Sequence, residues 1–248
     1  MLRQKDRRTD GIGPEQKGQA AMTLSNSVYE RLRADIVDGR FAPHQPLRLE
    51  QLKQHYGVGF SPLREALNRL QGERLVTSAQ QRGFRVSSLS VAEMWDAVDS
   101  RIFVEAEALK RSIRLGGDDW EAALVAAFHA LSIIVKRLGQ ADRIADKEGF
   151  DELERRHRDF HAALISACGS DWLLDFAEKL NTETERYRVM ALRRATLRHE
   201  RDVEAEHKAI LDATLARDGD RAAALLAAHY RQTGAFLEQV LAERDSAA

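Results

Sequence analysis

A single cysteine, Cys168, occurs in 248 residues. No disulfide framework can therefore brace this chain from within, and such sparing use of thiols suits a reducing cytoplasm. No apolar run approaches the ~20 residues that a bilayer span needs, so no membrane partner is expected. The opening stretch MLRQKDRRTDGIGPEQKGQ lacks the apolar core of a secretory signal. It is polar and glycine-containing, and residues 1–22 read as a disordered tail. Beyond that tail there is no tandem repeat and no low-complexity tract. Prolines number four, and two fall in FAPHQPLR, which must be a loop or short extended link. What is present is ordinary for a soluble globular protein: 44% apolar and 31% charged residues. The length suffices for one large domain or two modest ones.

The net charge of -1 conceals an asymmetry. Residues 1–88 carry 15 Lys and Arg against 9 Asp and Glu, a net of +6, whereas residues 89–248 carry 23 against 30, a net of -7. A basic head on an acidic body suggests that the head meets a polyanion. Five of the basic residues lie in the tail, so the excess on the head itself is modest.

The composition changes at 88–90, giving a head over 23–88 and a body over 89–243. In the head, Val28, Leu32 and Ile36 recur every four residues and predict a helix over about 25–38, closed by Gly39. A short helix follows over about 49–56, then the turn Gly57-Val58-Gly59-Phe60. The next helix has Ser61 as a candidate cap, Pro62 in its first turn, and a stripe of Leu63, Ala66, Leu67 and Leu70. After Gly72, LVTSAQQRGFRVSSL turns strand-like around a polar turn with Gly83, which predicts a small hairpin. From Ser90 onward the chain reads as about six or seven helices. Breaks fall at Gly116-Gly117, near Gly139-Gln140, at Gly169-Ser170, near His199 and at Asp218-Gly219-Asp220. The expected fold is thus mostly α: a winged helix-turn-helix, then an all-helical bundle.

Three helices and a hairpin of this kind lay the third helix in the major groove of double-stranded DNA, with the wing along the backbone or minor groove. Arg64, in the first turn, could fork onto a guanine. Ser61 and the amides at the helix start could hold a phosphate. Arg82 and Arg85 charge the wing, and Arg33 or Arg48 could flank it. An ordinary capped surface helix with solvated arginines is the plain alternative. Over residues 28–90 the sequence resembles the DNA-binding head of GntR-type transcription regulators, with the D-I-x-x-G-R, P-L-R-E-A-L and R-G-x-x-V elements all present. Many members carry Ser-Arg-Thr before the proline. Here Gly59-Phe60-Ser61 stands there, so the usual base-reading arginine is replaced by Phe60, which could touch a thymine methyl.

The body holds a second pattern. In HRDFH, His157 and His161 are one turn apart on one helix face, where both imidazoles could hold one metal ion. His207 precedes Asp218 by 11 residues and His229 follows it by 11. At about 1.5 Å rise per residue both lie roughly 16 Å from that turn, so an antiparallel hairpin sets them side by side. Three helices can then point four imidazoles at one place, as bundle sites are commonly built. A set of four histidines without a carboxylate suits Zn²⁺ or Ni²⁺ and is less suited to Mg²⁺ or Ca²⁺. A lone helical histidine is more often a satisfied or surface residue, and His44, His55, His129 and His199 show no such pattern.

Residues 90 to about 240 resemble the helical effector-binding domain of the FadR branch of these regulators, the type named FCD. His161, His207 and His229 match the three histidines of that domain, whereas His157 stands where Asp is common. Arg101 matches an arginine of its first helix. A guanidinium beside a metal suits a ligand carboxylate, the metal taking one oxygen and Arg forming a paired contact. An (i, i+4) salt bridge to Glu105 is the competing account of Arg101. Arg186 and Arg188 are further pocket candidates, and several inward arginines would favour a dicarboxylate. The resemblance also implies a homodimer, a near-palindromic operator and repression relieved by a small carboxylate. A metal-dependent enzyme with an accessory DNA-binding head is the alternative. It lacks the HExxH base, the residues between His157 and His161 being Arg-Asp-Phe.

Overall fold

The computed structural model describes residues 14–79, 83–88, 90–140, 147–194 and 201–246. They form two compact units, Met1–Ser88 and Leu89–Ala248.

The first unit is built on α1 (Pro14–Val37), β1 (Pro46–Leu47), α2 (Leu49–Tyr56), α3 (Phe60–Gly72), β2 (Val76–Ala79) and β3 (Gly83–Val86). The four-residue repeat of α1 buries Val28, Leu32 and Ile36 against the stripe of α3, where Leu63, Ala66, Leu67 and Leu70 are all fully buried. Two side-chain ties hold α1 to its neighbours: buried Tyr56 Oη donates to Asp35 at 2.7 Å, and Tyr29 Oη donates to Glu73. Gly57 ends α2 in the left-handed region, at φ 68°, and its N–H bonds Lys53 O. An L-residue with a Cβ would be strained there, which is why glycine suits this turn.

Three details differ from the sequence expectation. The first helix begins at Pro14, so residues 14–22 are its opening turns and not the disordered tail expected; residues 1–13 lie outside the described residues. α3 is capped by Gly59 without a side-chain bond, so Ser61 sits inside the first turn and is not the cap. The proline-rich link also supplies a third strand: the sheet order is β1-β3-β2, antiparallel throughout, with Leu47 opposite Phe84 and Thr77 opposite Arg85. Burial of Leu47 explains this, because pairing with β3 satisfies a backbone that its apolar side chain pulls inward.

The second unit is helical throughout its described residues: α4 (Val91–Leu115), α5 (Asp118–Gln140), α6 (Lys147–Ile165), α7 (Asp171–Arg194), α8 (Val203–Leu215) and α9 (Gly219–Ser246). Ser90 caps α4 by accepting from Glu93 N, with Glu93 three residues on as in a capping box. α4 packs on α7 and α9, α5 on α6 and α8, and α8 on α9. The core runs through Leu109, Leu124, Phe160, Leu164, Ile210 and Leu226. At the α4–α5 corner the Gly116 backbone lies so close to Trp120 that an added Cβ would fall 2.2 Å from the indole. The α8–α9 turn is anchored to that corner by Arg217, which donates to Ile113 O and Gly116 O at 2.6 and 2.8 Å. The break expected near His199 lies outside the described residues. No described helix is long and apolar enough to cross a membrane.

Candidate functional site

In the first unit, Phe60, Ser61 and Arg64 are all exposed at the start of α3. Arg48, Arg64 and Arg85 line one open hollow of about 480 Å³ between that helix start and the sheet. Arg85 Nη1 also donates to His44 O at 3.1 Å, which fixes the guanidinium near the strand edge. Lys53 lies 4.9 Å over the Phe60 ring, adding a cation to the exposed end of the helix. Arg33 is elsewhere: half-buried, it pairs with Glu73 at 3.4 Å. Arg82 lies outside the described residues.

In the second unit, His157 and His161 on α6, His207 on α8 and His229 on α9 meet. Their candidate ligand atoms all lie within 4.8 Å of one another. His207 and His229, equidistant from the α8–α9 turn, have ring centroids 4.5 Å apart. The Nε2 atoms of His161 and His207 face each other at 3.2 Å. His161, His207 and His229 are only 2–3% exposed. Burial, then the charges of neighbouring imidazoles and arginines, hold His157, His161 and His207 well below the usual 6.5; His229 is also lowered, chiefly by burial. All four are therefore neutral near pH 7, the form in which imidazole ligates a metal.

Polar groups orient these rings. Glu206 Oε2 lies 2.8 Å from His229 Nδ1, and Arg201 holds Glu206 through both carboxylate oxygens. Burial works to raise Glu206, but the bonds from His229 and Arg201 prevail and hold it down at about 2. It thus accepts the Nδ1 proton and leaves His229 Nε2 bare. Tyr230 Oη is 2.9 Å from His161 Nδ1. Arg188 Nη1 approaches His157 Nδ1 at 2.5 Å, and its Nη2 pairs with Glu154 at 2.6 Å. A tetrahedral ion with bonds of about 2.05 Å sets its donors about 3.3 Å apart. Four nitrogen donors suit such an ion in kind; donors now up to 4.8 Å apart would have to close in around it, and His157 would have to be shared with or released by Arg188.

A cavity of about 30 Å³, the room of roughly one water molecule, adjoins the imidazoles between Arg101, Thr184, Arg188 and Tyr230. Arg101 makes the Glu105 salt bridge, at 2.6 Å, and also lines this cavity while donating to Thr184 Oγ1 at 2.9 Å. The two accounts of Arg101 are compatible. Arg186 is not part of this cavity: its guanidinium is held by Glu183 and by Tyr187 Oη. Glu206, Tyr230 and Glu154 were not picked out from the sequence. A signal existed for the first two, each being the immediate chain neighbour of a candidate metal-ligating histidine. For Glu154 there was none, because its partner Arg188 comes from another helix.

A winged helix-turn-helix followed in the same chain by a helical unit is a plan that DNA-binding regulators use. The chain matches the profile "Bacterial regulatory proteins, gntR family" over residues 24–86 and that of the "FCD domain" over residues 96–232. It is 39% identical to the HTH-type transcriptional repressor GlaR of Escherichia coli K12 over 224 residues, covering 89% of this chain and 99% of that protein. It is 40% identical to BphR of Paraburkholderia xenovorans LB400, an uncharacterized HTH-type transcriptional regulator, over 88% of this chain and 86% of that one. Escherichia coli McbR/YncC shares the fold, with a TM-score of 0.70 at 19% identity, covering 87% of this chain and 97% of that one. The chain belongs to the GntR family, with an FCD domain. It is a DNA-binding transcription regulator and not an enzyme.

Proposed function

We propose that the protein is a homodimeric repressor that leaves a near-palindromic operator when a small carboxylate binds beside a metal ion in its helical unit. The observation that carries this reading is the meeting of four neutral imidazoles, two of which, His157 and His229, line one small cavity with Arg101 and Arg188. Four nitrogen donors favour Zn²⁺ or Ni²⁺. When bound, the ion supplies positive charge and a coordination position for a carboxylate oxygen. Arg101, pre-aimed by Glu105 and Thr184, grips the other oxygen, and Arg188 offers a second cation that favours a dicarboxylate over a monocarboxylate. The cavity holds little more than one water, so the ligand must draw Arg188 away from His157 to enter. That movement gives the ligand different affinities for two arrangements of the unit, which is the requirement for regulation.

On DNA, Arg64 reads a base edge from the start of α3, Phe60 meets an apolar base edge, and Ser61, Arg48 and Arg85 hold phosphates. Arg82 belongs to the same wing in sequence. Arg33, already paired with Glu73, contributes less. The repressor sign is supported by the name of the relative GlaR. Fluorescence titration of operator DNA with wild type, Arg64→Ala and Arg101→Ala, with and without succinate and Zn²⁺, tests the reading. Arg64→Ala should lose ~1–3 kcal/mol of operator affinity. Arg101→Ala should bind as wild type without succinate and fail to respond to it. An equal succinate response in wild type and Arg101→Ala removes Arg101 as the anchor.

A further inference from the structure

Four buried groups form a continuous chain from the arginine at the cavity to one of the imidazoles. Arg101 Nε donates to Glu105 Oε1 at 2.6 Å, Tyr230 Oη lies 2.5 Å from Glu105 Oε2, and the same Oη lies 2.9 Å from His161 Nδ1. Arg101, Glu105, His161 and Tyr230 are 5, 2, 3 and 5% exposed, so water offers these atoms little competition. Arg101 also sits over the Tyr230 ring, 4.3 Å from its centroid.

Counting protons along this chain gives one arrangement. Arg101 has only donors, so Glu105 accepts from it at Oε1, against a full positive charge. A phenol has one proton, and the short contact to a carboxylate claims it: Tyr230 Oη–H donates to Glu105 Oε2. Only lone pairs of Oη remain for His161, so Nδ1 must bring the hydrogen. A neutral imidazole has one N–H, and Nε2 is therefore bare, aimed at His207 Nε2 at 3.2 Å. We infer that Tyr230, ordered by the Arg101–Glu105 pair, is a positioning residue that fixes His161 in the tautomer whose Nε2 can ligate. This deepens the metal reading above and rests on it. It also joins the guanidinium assigned to the effector to the ligand shell of the ion by hydrogen bonds alone.

The carboxylate is as necessary as the phenol. In Glu105→Gln the amide can donate to Tyr230 Oη, freeing the phenolic proton for His161 Nδ1 and moving the imidazole hydrogen to Nε2. In Tyr230→Phe nothing receives Nδ1–H, and both tautomers become accessible. Partners of this kind around ligand histidines are typically worth 10–100-fold in metal affinity.

The test uses the full chain in wild type, Tyr230→Phe and Glu105→Gln, with Leu226→Ala as a destabilised control. Leu226 is buried on α9 one turn before Tyr230 and belongs to the apolar core. Zn²⁺ affinity is measured by chelator competition, and the His161 tautomer of the metal-free protein is read from ¹⁵N shifts and two-bond couplings of its ring. Both variants should bind Zn²⁺ 10–100-fold more weakly, while Leu226→Ala keeps wild-type affinity. Metal-free wild type should show Nδ1–H at His161, and both variants should lose that single state. If wild type takes no Zn²⁺, the metal reading fails and the tautomer alone decides: Nδ1–H lost in both variants supports the role of Tyr230. Zn²⁺ affinity unchanged in Tyr230→Phe, or Nδ1–H retained in that variant, overturns it. Equal weakening in Leu226→Ala also overturns it, by showing a merely structural effect.

Discussion

Lowering the pH from 7.5 to 5.5 without metal should destabilise the helical unit, by up to about 4 kcal/mol. Its four clustered imidazoles are held below 6.5 by burial. In the unfolded chain they return to about 6.5. Between those values the unfolded state binds protons that the native state refuses, so stability is full above about pH 7 and falls as the pH drops. Each imidazole kept neutral at pH 5.5 costs about 1.4 kcal/mol, and at pH 7.5 less than ~0.1 kcal/mol. His157, His161 and His207, all held well below 6.5, account together for at most about 4 kcal/mol, the limit reached when all three stay neutral at pH 5.5. His229 adds less, because Glu206 partly favours its charged form. Glu206 itself, at about 2, stays ionised across this range and contributes little to the change. The loss is large against the 5–15 kcal/mol typical of a whole domain. All three tryptophans, Trp95, Trp120 and Trp172, belong to this unit. Urea unfolding followed by tryptophan fluorescence in chelator therefore reports it selectively. A His207→Gln variant should show less pH dependence than wild type, by about 1 kcal/mol at most. Equal midpoints at pH 7.5 and 5.5, with unchanged slope, would show that the native cluster accepts protons and that the linkage argument is wrong.

Leu67→Ala, at a fully buried position of α3, should cost about 2–5 kcal/mol by cavity formation. Operator binding should suffer while the tryptophan-monitored urea transition stays in place; a shifted transition would contradict the division into two units. Gly116→Ala should destabilise the helical unit by about 1–3 kcal/mol through overpacking against Trp120, whereas Gly117→Ala, with open space around its Cβ position, should be near neutral. Urea midpoints that move equally for the two variants would refute the close-approach account of Gly116.

The sequence by itself determined the plan of the molecule. Helical periodicity over Val28–Ile36 and Leu63–Leu70 is a local property of side chains on one face, and it fixed which surfaces of α1 and α3 are buried. The equal spacing of His207 and His229 about Asp218 is likewise arithmetic along two helices, and it survives in the folded chain as neighbouring rings. The start of α1 was less legible, because residues 14–22 are polar and show no apolar stripe from which a helix can be read. The cap of α3 is not legible in the sequence, because Ser61 has the right chemistry but lies two residues after the true cap, Gly59. Tertiary structure alone decided how the arginines divide. Arg186 and Arg188 are two residues apart on one helix, roughly 200° around its axis. That separation turns Arg188 toward His157 and Glu154 and leaves Arg186 to Glu183 and Tyr187. No local pattern shows which face of α7 will meet α6, because that depends on how the helices pack against one another. The same holds for the two bonds of Tyr230 on α9 that join the local Arg101–Glu105 pair of α4 to His161 on α6: hydrogen bonds between distant segments exist only once packing has brought their donors and acceptors within 3 Å.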